Sequence, residues 1–221
     1  TALFIGGSNV DDGEAVLNEI RQAFFGPMRV SVMLDSNGAN TTAAAAVLAA
    51  GRHATLRGAQ ATVLAATGPV GKRVVRLLAE EGAAVCVTSR KLPAAEKVCA
   101  QIGELVPGAE LAARTTDDPA ARAGSTVVFA CGPPGVELLS ADQLAASESL
   151  HVAIDLNAVP PLGIGGIDMG DRAAEHGNCV CYGAIGVGGE KMKIHKRAIA
   201  RLFETNDLIL DAVEIYQLSK Q

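Results

Sequence analysis

Short runs of consecutive apolar residues recur along the chain, and between them apolar residues fall at three- and four-residue intervals. The runs ALFIGG, RVSVMLD, ATVLAA, AAVCVTSR, STVVFAC and LHVAIDL read as strands, with a further strand near AELAAR. In DDGEAVLNEIRQAFFG the apolar positions Val16, Leu17, Ile20, Phe24 and Phe25 have helical spacing, closed by Gly26 and Pro27. TTAAAAVLAAGRHA is apolar nearly all round, which predicts a helix buried between two layers. GKRVVRLLAEEG and PAAEKVCAQIGEL are amphipathic helices, a short helix precedes LHVAIDL, and GGEKMKIHKRAIARLF and DAVEIYQLSK are helical. Strand–helix alternation with continuous apolar strands implies an α/β fold whose parallel sheet is covered on both faces. The alternation becomes regular from residue 61, so a boundary is expected near residue 58, with a smaller α/β part at 1–57 and a larger domain at 58–221.

Composition narrows the class. The chain has 221 residues, 49% of them hydrophobic, enough for a sizeable core without metals or disulfides. No stretch of 18 uninterrupted apolar residues occurs, and no basic segment followed by an apolar one opens the chain, so neither a membrane nor secretion is expected. A net charge of −5 without a basic run, 3% aromatics and no tryptophan disfavour nucleic acid as a partner. Five cysteines without a C-x-x-C pair predict reduced, buried thiols in a cytoplasmic protein, and no metal. Cys179 and Cys181 are expected on opposite strand faces, a poor clamp for an ion. Thr1 opens directly in a strand without an initiator methionine, which reads as a processed, trimmed or partial chain.

Candidate chemistry starts at LAATGPVGKR, where a strand meets a helix. In a dinucleotide-binding turn, the second glycine lets the backbone approach the pyrophosphate and the third lets the helix pack on the strand. Gly68 and Gly71 supply those roles, and Ala66 can replace the first glycine only with a negative φ. Thr67, Gly68, Pro69, Val70 and Gly71 are thus candidates to hold a pyrophosphate on the amides of a helix N-terminus. The next strand ends in Ser89, Arg90 and Lys91, where an acid would bind the ribose hydroxyls of NAD. A hydroxyl and two cations suit a 2′-phosphate, so NADP is the expected cofactor, with NAD as a second acceptor.

Two loops fall at carboxyl ends of strands, CGPPG with Cys131 and Gly132, and DLNAVPPLGIGG with Asn157; both are expected to face the nicotinamide. DSNGANTT, with Asp35 and Asn37, opens a helix after another strand. In GAIGVGGEKMKIHKR, glycines lead into a helix whose first turns are expected to carry Lys191, Lys193, His195 and Lys196. Cations there oppose the macrodipole by roughly 0.3–1 kcal/mol each, which points to a cleft position for Lys191. Tyr216 and Lys220 form Y-x-x-x-K, but at the very end of the chain, and are read as part of a surface helix.

These motifs, with FFGPMRVSVMLDSNGANTTAAAA, TSRKL and NAVPPLGIGGID, resemble the methylene-tetrahydromethanopterin/methylene-tetrahydrofolate dehydrogenases over nearly the whole chain. The resemblance implies two α/β parts, a Rossmann-type nucleotide domain and a pterin-binding part lacking an N-terminal segment, with the pterin in the cleft between them. It implies hydride transfer from the methylene bridge of tetrahydromethanopterin or tetrahydrofolate to NADP, and a homo-oligomer. By motif, Lys191 would face the pterin in an orienting or electrostatic role, with Asp35 and Asn37 as further pterin contacts. GPVG and SRK would hold NADP. Two alternatives stay open: a tetrahydrofolate enzyme with an added cyclohydrolase, and an NADP-binding module without catalysis.

Overall fold

In the computed structural model, which describes residues 1–221, the chain runs β1 (Ala2–Ile5), α1 (Val10–Ala23), β2 (Ser31–Leu34), α2 (Ala39–Gly51), β3 (Gln60–Leu64) and α3 (Pro69–Glu80). It continues through β4 (Ala84–Ser89), α4 (Leu92–Leu105), β5 (Leu111–Thr115), β6 (Val127–Ala130), α5 (Ala141–Ala145) and β7 (Val152–Asp155). It ends with β8 (Arg172–His176), β9 (Cys179–Tyr182), α6 (Ala184–Arg201), β10 (Ile209–Leu210) and α7 (Ala212–Ser219).

Seven strands form one sheet in the order β5-β4-β3-β6-β7-β9-β8. All neighbours are parallel except β8, which runs antiparallel to β9 at the edge. Leaving β8 aside, the spatial order is the 3-2-1-4-5-6 arrangement of a doubly wound dinucleotide fold, with the change of direction between β3 and β6. The strands read as unbroken apolar runs because both faces are covered. One face carries α2, α3, α4 and α6, and the other carries α5 with the loop of residues 156–167; the buried residues divide into two clusters accordingly.

A second, three-stranded parallel sheet has the order β1-β2-β10. Its third strand comes from the far end of the chain, paired through Ile209↔Val32 and Leu210↔Met33. A division at residues 57 and 58 therefore separates the two sheets but leaves β10 on the wrong side. A two-residue strand is too short to signal itself by periodicity.

Helix α2 joins the sheets and is buried on nearly every side, from Ala39 to Ala50. Alanine is the best helix former and takes little space, so α3, α6 and α7 can all pack against it. Helix α3 adds the buried face Val74, Val75, Leu77 and Leu78, each contributing about 1.5–3 kcal/mol of apolar burial.

Three expectations are corrected here. Helix α6 starts at Ala184, so Gly186, Gly188 and Gly189 lie inside it and Lys191 sits past its second turn, beyond the reach of the N-terminal dipole. Gly186 is needed for close packing, since a Cβ there would collide with the Asp171 carbonyl. Cys179 and Cys181 project to one face of β9 and share one buried cluster, as the two-residue strand period requires. Tyr216 is buried rather than on the surface, roofed by Lys220 with Nζ 4.5 Å from its ring centroid. Lys220 is held by Glu81, at the end of α3 remote from the glycine turn, so the Y-x-x-x-K spacing has no catalytic meaning.

The tightest approach in the turn is at Gly71, where a Cβ would lie 2.7 Å from Cα and O of Ala66. Backbone cannot yield as a flexible side chain can. Gly71→Ala is expected to cost about 1–3 kcal/mol in urea unfolding and to weaken NADPH binding by opening the turn.

Candidate active site

The glycine turn is pinned to its neighbouring strand. Ala65 N–H donates to Thr88 Oγ1 at 3.1 Å, and Ala66 N–H donates to the Thr88 carbonyl at 2.8 Å. The left-handed residue is Ala65, with φ 53°, and not Ala66. Ala66 is fully buried at negative φ, so the missing first glycine costs nothing where it was expected to matter. Gly68 is the N-cap of α3 and Pro69 occupies its first turn, where a missing N–H is harmless. No side chain caps α3, so its first amides are available to an anion. A Cβ at Gly68 would meet nothing within 4 Å. That open approach at Gly68 beside the tight one at Gly71 fits a pyrophosphate held by Thr67, Gly68, Pro69, Val70 and Gly71.

At the end of β4, Ser89 is buried and its Oγ accepts from Lys91 N–H at 3.4 Å, while Arg90 and Lys91 are exposed. Arg90 borders a cavity of about 340 Å³ together with Thr116, Asp117, Glu137 and Leu138. The two cations are therefore free for a phosphate, although two carboxylates share the neighbourhood of Arg90.

Between β3 and β6, the two loops expected at the nicotinamide meet the turn. Cys131 N–H donates to the Leu64 carbonyl at 3.0 Å. Gly132 is pressed between Leu138 and Ala65; a Cβ there would lie 2.8 Å from Leu138 Cδ1. Asn157 Nδ2 donates to the carbonyls of Pro133 and Pro161, both at 3.4 Å, tying CGPPG to NAVPP. Beneath them Asp155, fully buried, accepts from Asn157 N–H at 2.9 Å and Ile164 N–H at 2.8 Å. Burial raises the Asp155 carboxyl above its ordinary value against the pull of these amide donors. Burial, with the Asp155 charge added, pushes the Cys131 thiol up to about 12. The thiol at this end of the groove is neutral.

The second cluster lies between the loop after β2 and helix α6. Asp35, 4% exposed, accepts from Thr41 through its backbone N–H at 3.0 Å and its hydroxyl at 2.7 Å. His195 Nδ1 stands 3.4 Å from Asp35 Oδ2, and Phe4 meets the imidazole edge-on at 5.5 Å. Asn37 and Gly38 are both left-handed, which turns the chain tightly enough for Lys191 Nζ to sit directly against Gly38. The structure thus gathers Asp35, the Asn37–Gly38 turn and Lys191. His195, four residues after Lys191 and on the same helix face, joins them, as does Thr41 from the DSNGANTT stretch.

Arg73 links the two clusters. It is 8% exposed and donates to Asn40 Oδ1, to the Pro69 carbonyl at 3.1 Å and to Glu14 at 2.8 Å. Asn40 in turn donates to the Leu34 carbonyl, one residue before Asp35. One guanidinium therefore joins the glycine turn to the N-terminal sheet. No helix is long and apolar enough to cross a membrane.

The family described as "Methylene-tetrahydromethanopterin dehydrogenase, N-terminal" matches residues 1–37, which end within the Asp35–Gly38 loop. The "Bifunctional protein MdtA" of Methylorubrum extorquens is 45% identical over 227 residues, covering 100% of this chain and 78% of the relative. The "NAD(P)-dependent methylenetetrahydromethanopterin dehydrogenase" of the same organism is 30% identical over 235 residues, covering 99% and 78%. Among solved structures, a transhydrogenase from Sinorhizobium meliloti superposes with a TM-score of 0.57 at 16% identity, over 96% of this chain and 78% of that one, a likeness of fold.

Removing the Asp155 carboxylate leaves the Asn157 and Ile164 amides unpaired, at about 1–3 kcal/mol each, so Asp155→Ala is expected to lower stability in urea unfolding. The raised carboxyl means that the native state holds this proton more tightly than the unfolded chain does. Its contribution is complete below the unfolded value, about 3.9, and is lost as pH rises through the folded value. The gap between wild type and Asp155→Ala should accordingly narrow as pH rises across that window.

Proposed function

The chain belongs to the methylene-tetrahydromethanopterin dehydrogenase family, and on that premise we propose that it is an NADP-dependent oxidoreductase that removes hydride from the methylene bridge of a tetrahydropterin carrier, giving the methenyl form. The observation that carries this reading is the pairing of an uncapped Gly68–Gly71 turn with two free cations, Arg90 and Lys91, at the end of the next strand. Tetrahydromethanopterin is the carrier we favour, from the family; tetrahydrofolate is the competing carrier.

NADP, when bound, supplies the hydride acceptor. The protein's part is to position. The product cation is shared by two nitrogens of the carrier, so no proton leaves in the hydride step and no general base is required. Lys191 would anchor and orient a polar edge of the pterin rather than act as a nucleophile. Its ammonium alone would oppose positive charge growing on the carrier. Asp35, which accepts two hydrogen bonds from Thr41 and is neighboured by His195, is the compensating charge. The Asn37–Gly38 turn brings these two charges to one side of the cleft. Ser89, Arg90 and Lys91 would hold the 2′-phosphate, and Cys131, Gly132 and Asn157 would wall the nicotinamide.

The test is an absorbance assay with the methylene forms of both carriers and with NADP and NAD. Faster turnover with tetrahydromethanopterin and NADP supports the reading; bound NADPH without turnover on either carrier sinks it in favour of a binding module. Arg90→Asp should cost about 10–100-fold in NADP affinity, the value of a charged phosphate contact, and leave NAD binding nearly untouched. Lys191→Ala should lower kcat by about 10²-fold through misplacement of the pterin while NADPH affinity is unchanged.

A further inference from the structure

The face of the large sheet turned away from α2 carries a second cavity, about 480 Å³, between α5, the Gly165–Gly166 stretch and the β8–β9 hairpin. Cys179 and His176 both line it. They stand directly opposite each other in the antiparallel register, so their side chains leave the same face of the hairpin. His176 Nε2 lies 2.9 Å from Asp171 Oδ2, which leaves Nδ1 to face a neighbour. Cys181 follows on the same face of β9, where its S–H donates to the Cys179 carbonyl at 3.8 Å. A thiol, an imidazole across from it, and a carboxylate fixing the imidazole's other nitrogen make the nucleophile–base–orienter succession of activated thiols.

We propose that Cys179 is a reactive-thiol modification site that exchanges with a small cationic disulfide, with His176 as base and Asp171 as the group that orients it. The Cys179 proton passes to His176 Nδ1, the thiolate bonds to the near sulfur of the disulfide, the S–S bond breaks, and the far sulfur leaves as a thiolate that takes up the proton. The product is a mixed disulfide at Cys179 and one free small thiol. The cavity suits a small partner because glycine and alanine form much of its wall, and Glu148 on that wall selects against an anion. The surroundings of the other thiols point the same way. The neighbouring Cys181 thiol holds Cys179 below the ordinary thiol range although burial opposes it. Burial raises Cys86, Cys99 and Cys131, and the neighbouring Cys179 thiol raises Cys181.

Native protein treated with cystamine at neutral pH, quenched at intervals and mapped by peptide mass spectrometry, tests this. Cys179 should carry the adduct first, on the order of tenfold faster than any other thiol, because its thiolate is the most populated of the five. His176→Asn and Cys181→Ala should each slow it by roughly tenfold, whereas Cys181→Ser, which keeps a donor, should not. Prior labelling of another cysteine overturns the proposal, as does modification of Cys179 only in denaturant. The ranking of the five thiols is read on the wild-type protein and needs no variant to fold.

Discussion

The packing of this molecule is arranged around a helix built largely of alanine. Helix α2 is buried from its first turn to its last, and alanine at Ala43, Ala44, Ala45, Ala46, Ala49 and Ala50 keeps it thin. Three helices can therefore reach it, α3 and α6 from the large sheet and α7 from the return to the small one. A bulkier residue at any of these positions would have to be accommodated by several packed surfaces at once, in an interior that is already dense. The same helix delivers Asn40 and Thr41 to its N-terminus, where Thr41 grips Asp35 and Asn40 grips Arg73. The core constraint and the site constraint are thus one object: shifting α2 would displace the carboxylate and the guanidinium together.

That economy explains why some features could be read from the sequence and others could not. The burial of α2 was legible because a helix with no polar face has nowhere else to go. The glycine turn and the cations after β4 were legible because backbone approach and phosphate charge restrict residue type at fixed spacing. The start of α6 was misplaced because Gly186, Gly188 and Gly189 read as loop, whereas packing against the Asp171 backbone makes glycine the residue required inside the helix. The return of Ile209 and Leu210 to the first sheet is a long-range pairing of two residues, and no local pattern announces it. Ala65 shows the same limit in miniature. Its left-handed φ is held by Thr88, a partner 23 positions away.

Arg73 shows how the two halves of the site are made to depend on each other. Two residues after Gly71, it is a member of the nucleotide helix, yet its donors go to Pro69 in the turn, Asn40 on α2 and Glu14 on α1. A buried guanidinium is tolerated only when its donors are satisfied, so the turn and the N-terminal sheet are specified as a pair. A ligand that displaces Pro69 must disturb contacts to α1 and α2, and one that moves the Asp35 loop must disturb the turn through Leu34 and Asn40.

The charges are divided between these halves in a way that fits the proposed chemistry better than a conventional acid–base site would. At the glycine-turn end, the groups nearest the β3–β6 crossover are a carboxyl raised by burial and a thiol at about 12, which leaves that wall little inclined to give up protons. On the other side, Asp35 accepts two hydrogen bonds from Thr41, with His195 at 3.4 Å and Lys191 against the nearby Gly38. Positive charge that develops during hydride departure would grow on the carrier, so a preorganised carboxylate on that side lowers the barrier. A lysine there without it would raise the barrier. The placement of Asp35 and Lys191 around the one Asn37–Gly38 turn is therefore a more informative feature than either residue alone: in the proposed reaction the lysine would orient the ring while the aspartate offsets what its charge would otherwise cost the transition state.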